Sequence, residues 1–350
     1  MSEAPSLGPE ATLGSLVSQT LGPREARQIS AIIPALAQDL TEIDRRLQQV
    51  LRARYAQLSE AAIYACGPGG KRIRPLLMAT CHRALGAKTS DRIHSMAAAF
   101  ELIHTASLVH DDVIDHSPLR RGRRSLPAAF GLPTAIVTGD FLFVRAFELA
   151  AEYSPAIILR CGEACADLVE GEVLEDANRF DLTIGREHYF RVIERKTAAI
   201  IAAGLASVAE VDEQPAAVVD GLAAFGRALG MAFQIQDDLL DVYGDPDLLG
   251  KPLFTDLREG TPTLLSVEAY SELDGARKRE FERKFAQRRK RSSDLLRLKA
   301  LTDQTDAPRR VAEEARRWAE RAIYSIALLP PSPFHLLLDQ AAQSAATRQV

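Results

Sequence analysis

Apolar residues recur at helical spacing along most of this chain. From Glu25 to about Leu58 they fall at Ile32, Ile33, Leu36, Leu40, Ile43, Leu47 and Leu51, which predicts one helix ending before the turn Cys66-Gly-Pro-Gly-Gly70. Asp91 to Asp115 reads as a long helix with small residues at Ala97, Ala98, Ala99, Ala106 and Ser107. Further helices are predicted from about Thr134 to Glu152, Pro155 to Asn178 and Glu187 to Ala209, and from Pro215 until Gly244 and Pro246 break the pattern. Thr261-Pro262 signals another start before Leu264, and amphipathic helices over Arg309–Leu329 and Phe334–Ala346 close the chain. There is no β-hairpin signal, no linker and no solenoid repeat. The pattern predicts an all-α protein: one large domain over residues 24–350, with active groups on facing antiparallel helices around a central cavity. Residues 1–23, rich in Ser, Gly and Pro, read as a mobile N-terminal arm.

Composition narrows the function classes. With 47% hydrophobic and 26% charged residues the chain looks like a soluble globular protein, and the scarcity of aromatics (6%) favours helices over sheets. A net charge of −4 argues against broad nucleic-acid binding. Cys66, Cys81, Cys161 and Cys165 have no zinc-ligand spacing and read as small buried thiols of a reducing cytosol. No uncharged apolar run reaches the roughly 18 residues of a membrane span, and the N-terminus lacks the marks of a secretory signal. The expected location is cytoplasmic.

Two acidic stretches carry the candidate chemistry, Asp111-Asp112-Val-Ile-Asp115 and Asp237-Asp238-Leu-Leu-Asp241. Residues i and i+4 share a helix face, so Asp111 with Asp115, and Asp237 with Asp241, are expected to project together. Crowded carboxylates raise one another's pKa and call for a cation. Hard oxygen ligands suit Mg²⁺ bridging to a phosphate-bearing substrate; a solvated helix turn is the plainer reading of either stretch alone. Lys71, Arg72 and Arg74 open a helix beside glycine-freed amides, which favours an anion site. Arg120, Arg121, Arg123 and Arg124 follow the first acidic stretch and read as the other half of a diphosphate site. Glu172 and Glu175 either extend the metal-facing surface or face solvent. The nine Lys and Arg between Arg277 and Arg291 make either a solvated helix face or a membrane-surface patch.

Taken in order, Gly-Lys71-Arg-Ile-Arg74-Pro, His104 seven residues before the first Asp-Asp-x-x-Asp, Arg120-Arg121-Gly, Lys196-Thr197, Phe-Gln234-x-x-Asp-Asp-x-x-Asp and Gly-Lys251 resemble the trans-isoprenyl diphosphate synthases, over roughly Ala65 to Thr263. The resemblance implies an isoprenoid synthase fold, a homodimer, and Mg²⁺-dependent condensation of an allylic diphosphate with isopentenyl diphosphate. It implies two or three Mg²⁺ held through Asp111, Asp115 and Asp237, with Asp112, Asp238 and Asp241 completing the clusters. By the same resemblance Arg120, Lys196, Thr197, Gln234 and Lys251 contact the allylic substrate, and Lys71, Arg74, His104 and Arg121 hold isopentenyl diphosphate. Three departures stand out: Thr261 where the family often has Lys, Glu175 where longer-chain members often have Gln, and no basic C-terminal ending.

In such enzymes the residues one to two turns before the first motif line the product pocket. Here they are Ala106 and Ser107, with Ile103 a turn further, and each turn of small residues adds about 5.4 Å of depth. The expected product is a polyprenyl diphosphate longer than C20, with Phe100, Phe141 or Phe147 as residues that would close the pocket earlier. A geranylgeranyl or farnesyl diphosphate synthase, a non-catalytic regulatory subunit of a heteromeric synthase, and a class I terpene cyclase are the rival readings. A cyclase leaves the cations at Lys71, Arg74 and Arg121 unexplained. So apolar a product also raises peripheral membrane contact at release.

Overall fold

The computed structural model describes residues 21–67, 72–88, 90–246 and 252–347. Residues 1–20 of the arm expected over residues 1–23, and the predicted ligands Lys71 and Lys251, lie outside these described residues, while Pro23 already opens the first described helix. Described secondary structure is helical apart from one two-stranded hairpin. The chain forms two compact units, interleaved in sequence. The first comprises Met1–Cys165, Ile200–Ala224 and Ser325–Ala341; the second comprises Ala166–Ala199, Phe225–Tyr324 and Ala342–Val350. Two of the boundaries fall inside the helices Pro155–Ala177 and Ala216–Tyr243, so no change of composition marks them.

In the first unit, α1 (Pro23–Val50), α2 (Ala56–Cys66), α3 (Ile73–Ala84), α4 (Asp91–Ile114), α5 (Leu126–Phe130) and α6 (Leu132–Ala150) follow one another. The apolar stripe of α1 buries Ile29, Ile32, Leu36, Leu40, Ile43 and Leu47, each worth about 1.5–3 kcal/mol when removed from water. The helix predicted to run to Leu58 stops at Val50. Ser59 supplies the reason: its hydroxyl accepts from Ala53 N at 2.8 Å and donates to Ala53 O at 3.3 Å, so the side chain takes bonds a continuing helix would have used. No Gly or Pro betrays that break. Ser90 caps α4 by accepting from Ile93 N, and Asp115 is its C-cap. Helix α4 is buried from Ile93 to Ile103 without interruption. It packs chiefly on α6, where a Cβ on Gly139 would lie 2.2 Å from His110 Nε2.

The hairpin corrects the expectation that no such turn exists. Leu119 pairs with Arg124 and Arg120 with Arg123, around Arg121 (φ 53°) and Gly122 (φ 72°). Positive φ at both central residues is the type I′ geometry that fits strand twist. Arg-Gly in place of Asn-Gly, flanked by charges rather than alternating apolar residues, hid it.

The second unit holds the C-terminal half of α7 (Pro155–Ala177), α8 (Gly185–Ile193), a π-helical turn Glu194–Ala198, and α10 (Ala216–Tyr243) from Phe225 onward; α9 (Ala199–Val211) follows the turn in sequence. Short α11 (Thr255–Glu259) precedes α12 (Leu264–Glu272), which Thr263 and Ser266 start with a capping box. Helices α13 (Gly275–Phe285) and α14 (Ser292–Thr302) pack on one another and α14 on α12, and α15 (Ala307–Ser325) and α16 (Pro333–Thr347) end the described chain.

Candidate active site

In the first unit the cationic residues of α3 and the hairpin gather around α4. Arg72, half-buried at a positive φ of 45°, donates to Glu101 Oε1 (3.0 Å), Asp44 Oδ1 (3.0 Å) and Cys66 O (2.7 Å). It braces the start of α3, so the anion set expected there loses Arg72. Arg74 is placed differently. Its Nε is buried without a hydrogen-bond partner, and burial pushes its pKa down to about 10. His104 is held well below the usual imidazole range by burial and by the charges of Arg74, Arg121, Arg120 and Arg72. A neutral imidazole among four guanidinium groups, one with an unmet donor, is an environment an anion would stabilise.

The four hairpin arginines do not act alike. Arg120 reaches back to Asp112 Oδ1 at 2.6 Å from Nη2 and 2.8 Å from Nε. Arg123 lies 4.2 Å over the Tyr64 ring, and Arg124 donates to Ala128 O. Arg121 stands exposed at the turn. A cleft of about 50 Å³ lies between Tyr64, Thr105, Asp112, Arg120, Arg121 and Arg123. Asp112 is buried, and its desolvation raises its pKa despite the Arg120 bond; Asp111 and Asp115 are half-buried. Of the proposed chain-length residues, Ile103 and Ala106 are fully buried on α4, and Ser107 bonds the carbonyl of His104. Phe100 is buried against Met78 and Gly204.

In the second unit the π-helical turn carries Lys196 and Thr197. Two glycines grip it. A Cβ on Gly171 would sit 2.8 Å from Lys196 N, and one on Gly230 would sit 2.6 Å from Ala198 Cα. One extra residue per turn is how such segments re-aim a side chain, and they recur at functional sites. Thr197 Oγ1 donates to Gln234 Oε1 (2.9 Å), Gln234 Nε2 donates to Asp238 Oδ1 (2.8 Å), and Tyr189 OH donates to Asp238 Oδ2 (2.6 Å). Burial drives Asp238 up to about 7 against the pull of those two hydrogen bonds. Asp241 is buried and accepts from Thr255 N (3.1 Å) and Asp256 N (3.2 Å), capping α11, while Asp237 is half-buried. The two carboxylates expected to share one face thus differ in burial. Glu172 and Glu175, left open between metal and solvent, both bind Lys196 Nζ, at 2.6 and 2.5 Å.

Among the described residues no three His, Cys, Asp or Glu side chains converge as a self-sufficient metal cage. Mg²⁺ is commonly bound through one or two carboxylates together with substrate phosphate oxygens and water. The half-buried Asp111, Asp115 and Asp237 are donors of the right hardness.

The profile of the polyprenyl synthetase family matches residues 55–302. The chain belongs to that family. It is 39% identical to heptaprenyl diphosphate synthase component 2 of Geobacillus stearothermophilus, over 70% of this chain and 77% of that protein. Against octaprenyl diphosphate synthase of Escherichia coli identity is 38%, over 67% and 72%. A polyprenyl synthase from Caulobacter crescentus, solved with calcium and isoprenyl diphosphate, superposes with a TM-score of 0.84 at 33% identity, covering 92% of this chain and 98% of that one. The synthetase is therefore a prenyltransferase of the all-α isoprenoid synthase fold, with long-chain relatives.

Glu101, which accepts from Arg72 in the first unit, and Tyr189, which donates to Asp238 in the second, are supporting residues that motif reading passes over. Glu101 left a trace, being an acid inside an apolar helix. Tyr189 left none, since its partner Asp238 is 49 residues away.

Proposed function

We propose that this synthetase condenses an allylic diphosphate with isopentenyl diphosphate, head to tail and with Mg²⁺, to give a trans-polyprenyl diphosphate longer than C20. The observation that carries the reading is the environment of His104: a neutral imidazole and the unmet Arg74 donor amid four guanidinium groups, a place for a second, non-ionising diphosphate. Arg74, His104 and Arg121, with Lys71, are assigned to isopentenyl diphosphate. Arg120, Lys196, Thr197, Gln234 and Lys251 are assigned to the allylic diphosphate. Bound Mg²⁺, held through Asp111, Asp115 and Asp237, would supply Lewis-acid stabilisation of the charge that grows on the departing diphosphate. Lys196 and Arg120 would each offer positive charge to that leaving group, which is worth most in a site closed to water. The Thr197–Gln234–Asp238–Tyr189 chain of hydrogen bonds holds the second acidic motif in one orientation. No protein nucleophile is required: the double bond of isopentenyl diphosphate attacks the allylic cation, and the proton leaves with the diphosphate.

The long product is supported by the small, buried Ala106 and the long-chain relatives. A homodimer is proposed on the exposed apolar residues of α6, where Leu132, Ile136, Val137 and Val144 lie along one face. Four free cysteines, three of them buried, accord with the cytoplasm. Membrane contact through the basic segment has less support. Lys278 lies over Tyr270, Lys284 pairs with Asp294, and Lys290 is buried against backbone carbonyls. Purified protein given Mg²⁺, labelled isopentenyl diphosphate and primers from C5 to C20 should yield organic-extractable label that EDTA abolishes. Absence of label with every primer would refute the function.

A further inference from the structure

Lys196 does not wait for a diphosphate with its charge unspent. Its ammonium lies 2.6 Å from Glu172 Oε2 and 2.5 Å from Glu175 Oε1, and all three side chains are largely shielded, at 21%, 14% and 20% exposure. An ammonium has three donors, so two carboxylates occupy most of its bonding capacity. The trio carries a net charge of −1, which opposes an incoming diphosphate. The backbone cannot relieve this, because Gly171 and Gly230 clamp the turn that carries Lys196. Only side-chain rotation can free the ammonium.

We propose that Glu172 and Glu175 form a two-carboxylate latch on Lys196, and that Glu175 is a positioning residue that sets the affinity of the allylic diphosphate. The proposal rests on Lys196 being a contact of that diphosphate. Each binding event exchanges two carboxylate bonds for phosphate bonds, so the latch weakens retention of the diphosphate-bearing chain and favours its departure. Removing one of the two charges without changing shape shifts that exchange toward the substrate.

The test compares Glu175→Gln, Glu175→Asp and the unaltered protein. Glu175→Gln is expected to lower KM for the allylic diphosphate by about threefold to tenfold while KM for isopentenyl diphosphate stays as it was. Glu175→Asp keeps the negative charge and should show no such gain in affinity. Titration with inorganic diphosphate and Mg²⁺, followed by calorimetry, should show the same gain in Glu175→Gln. A merely structural Glu175 predicts lost thermal stability with no gain in affinity. An allylic KM that is unchanged or higher in Glu175→Gln overturns the latch. Should the unaltered protein transfer no prenyl group to any primer, the proposed reaction falls, and equal diphosphate affinity in the two proteins would then overturn the latch on its own.

Discussion

Replacing Asp238 by Asn should make the synthetase more stable and less active at once. Asp238 is buried, accepts from Tyr189 and Gln234, and titrates at about 7 instead of 3.8. Its folded-state pKa is raised, so the favourable contribution of the protonated acid is complete below pH 3.8 and is lost as pH rises through 7. Above that window the buried charge costs on the order of 4 kcal/mol, at about 1.4 kcal/mol per unit of displacement. At pH 5.5 the cost is roughly half as large. Asn keeps the shape and both hydrogen bonds, because its amide can donate to the Tyr189 oxygen while its carbonyl accepts from Gln234. Thermal denaturation without ligands should therefore show Asp238→Asn melting roughly 5–10 °C higher at pH 8, and about half that margin higher at pH 5.5. Prenyl transfer should fall by at least tenfold, since the second acidic motif has lost a negative charge that helps it hold Mg²⁺. A variant that melts below the parent at pH 8, or whose margin is equal at the two pH values, would refute the reasoning.

Gly230→Ala should destabilise by about 1–3 kcal/mol, because its Cβ would meet the Ala198 backbone at 2.6 Å and overpacking outweighs the helix propensity gained. Its allylic KM should rise as the Thr197–Gln234 bond of 2.9 Å opens, which steady-state kinetics would register. Ala106→Phe should shorten the product seen by chromatography, because a ring at this fully buried position, beside Ser107 and about 4.5 Å along the helix from Ile103, blocks the pocket.

Much of this protein can be read from its residues, and the failures are instructive. Apolar periodicity predicts α4 from Asp91 to within one residue of its end, since a helix buried on nearly every side has a long uninterrupted pattern. The same reasoning runs α1 through to Leu58, because the bond that ends it belongs to the Ser59 side chain and Ser is not a breaker by composition. The acidic motifs mark the site, yet spacing alone cannot tell Asp241, which caps α11, from Asp237. Likewise Arg120, Arg121, Arg123 and Arg124 look equivalent until the hairpin sends Arg120 to Asp112 and Arg123 to Tyr64. Partners distant in sequence decide these roles, and no local pattern encodes them.

Elongation beyond C20 is tested most directly by the mass of the product that the purified synthetase makes from isopentenyl diphosphate and a C15 or C20 primer in the presence of Mg²⁺. A series of diphosphates rising by one isoprene unit and ending beyond C20 is the predicted spectrum. A spectrum that ends at C15 or C20, or one holding only unreacted primer, would contradict it.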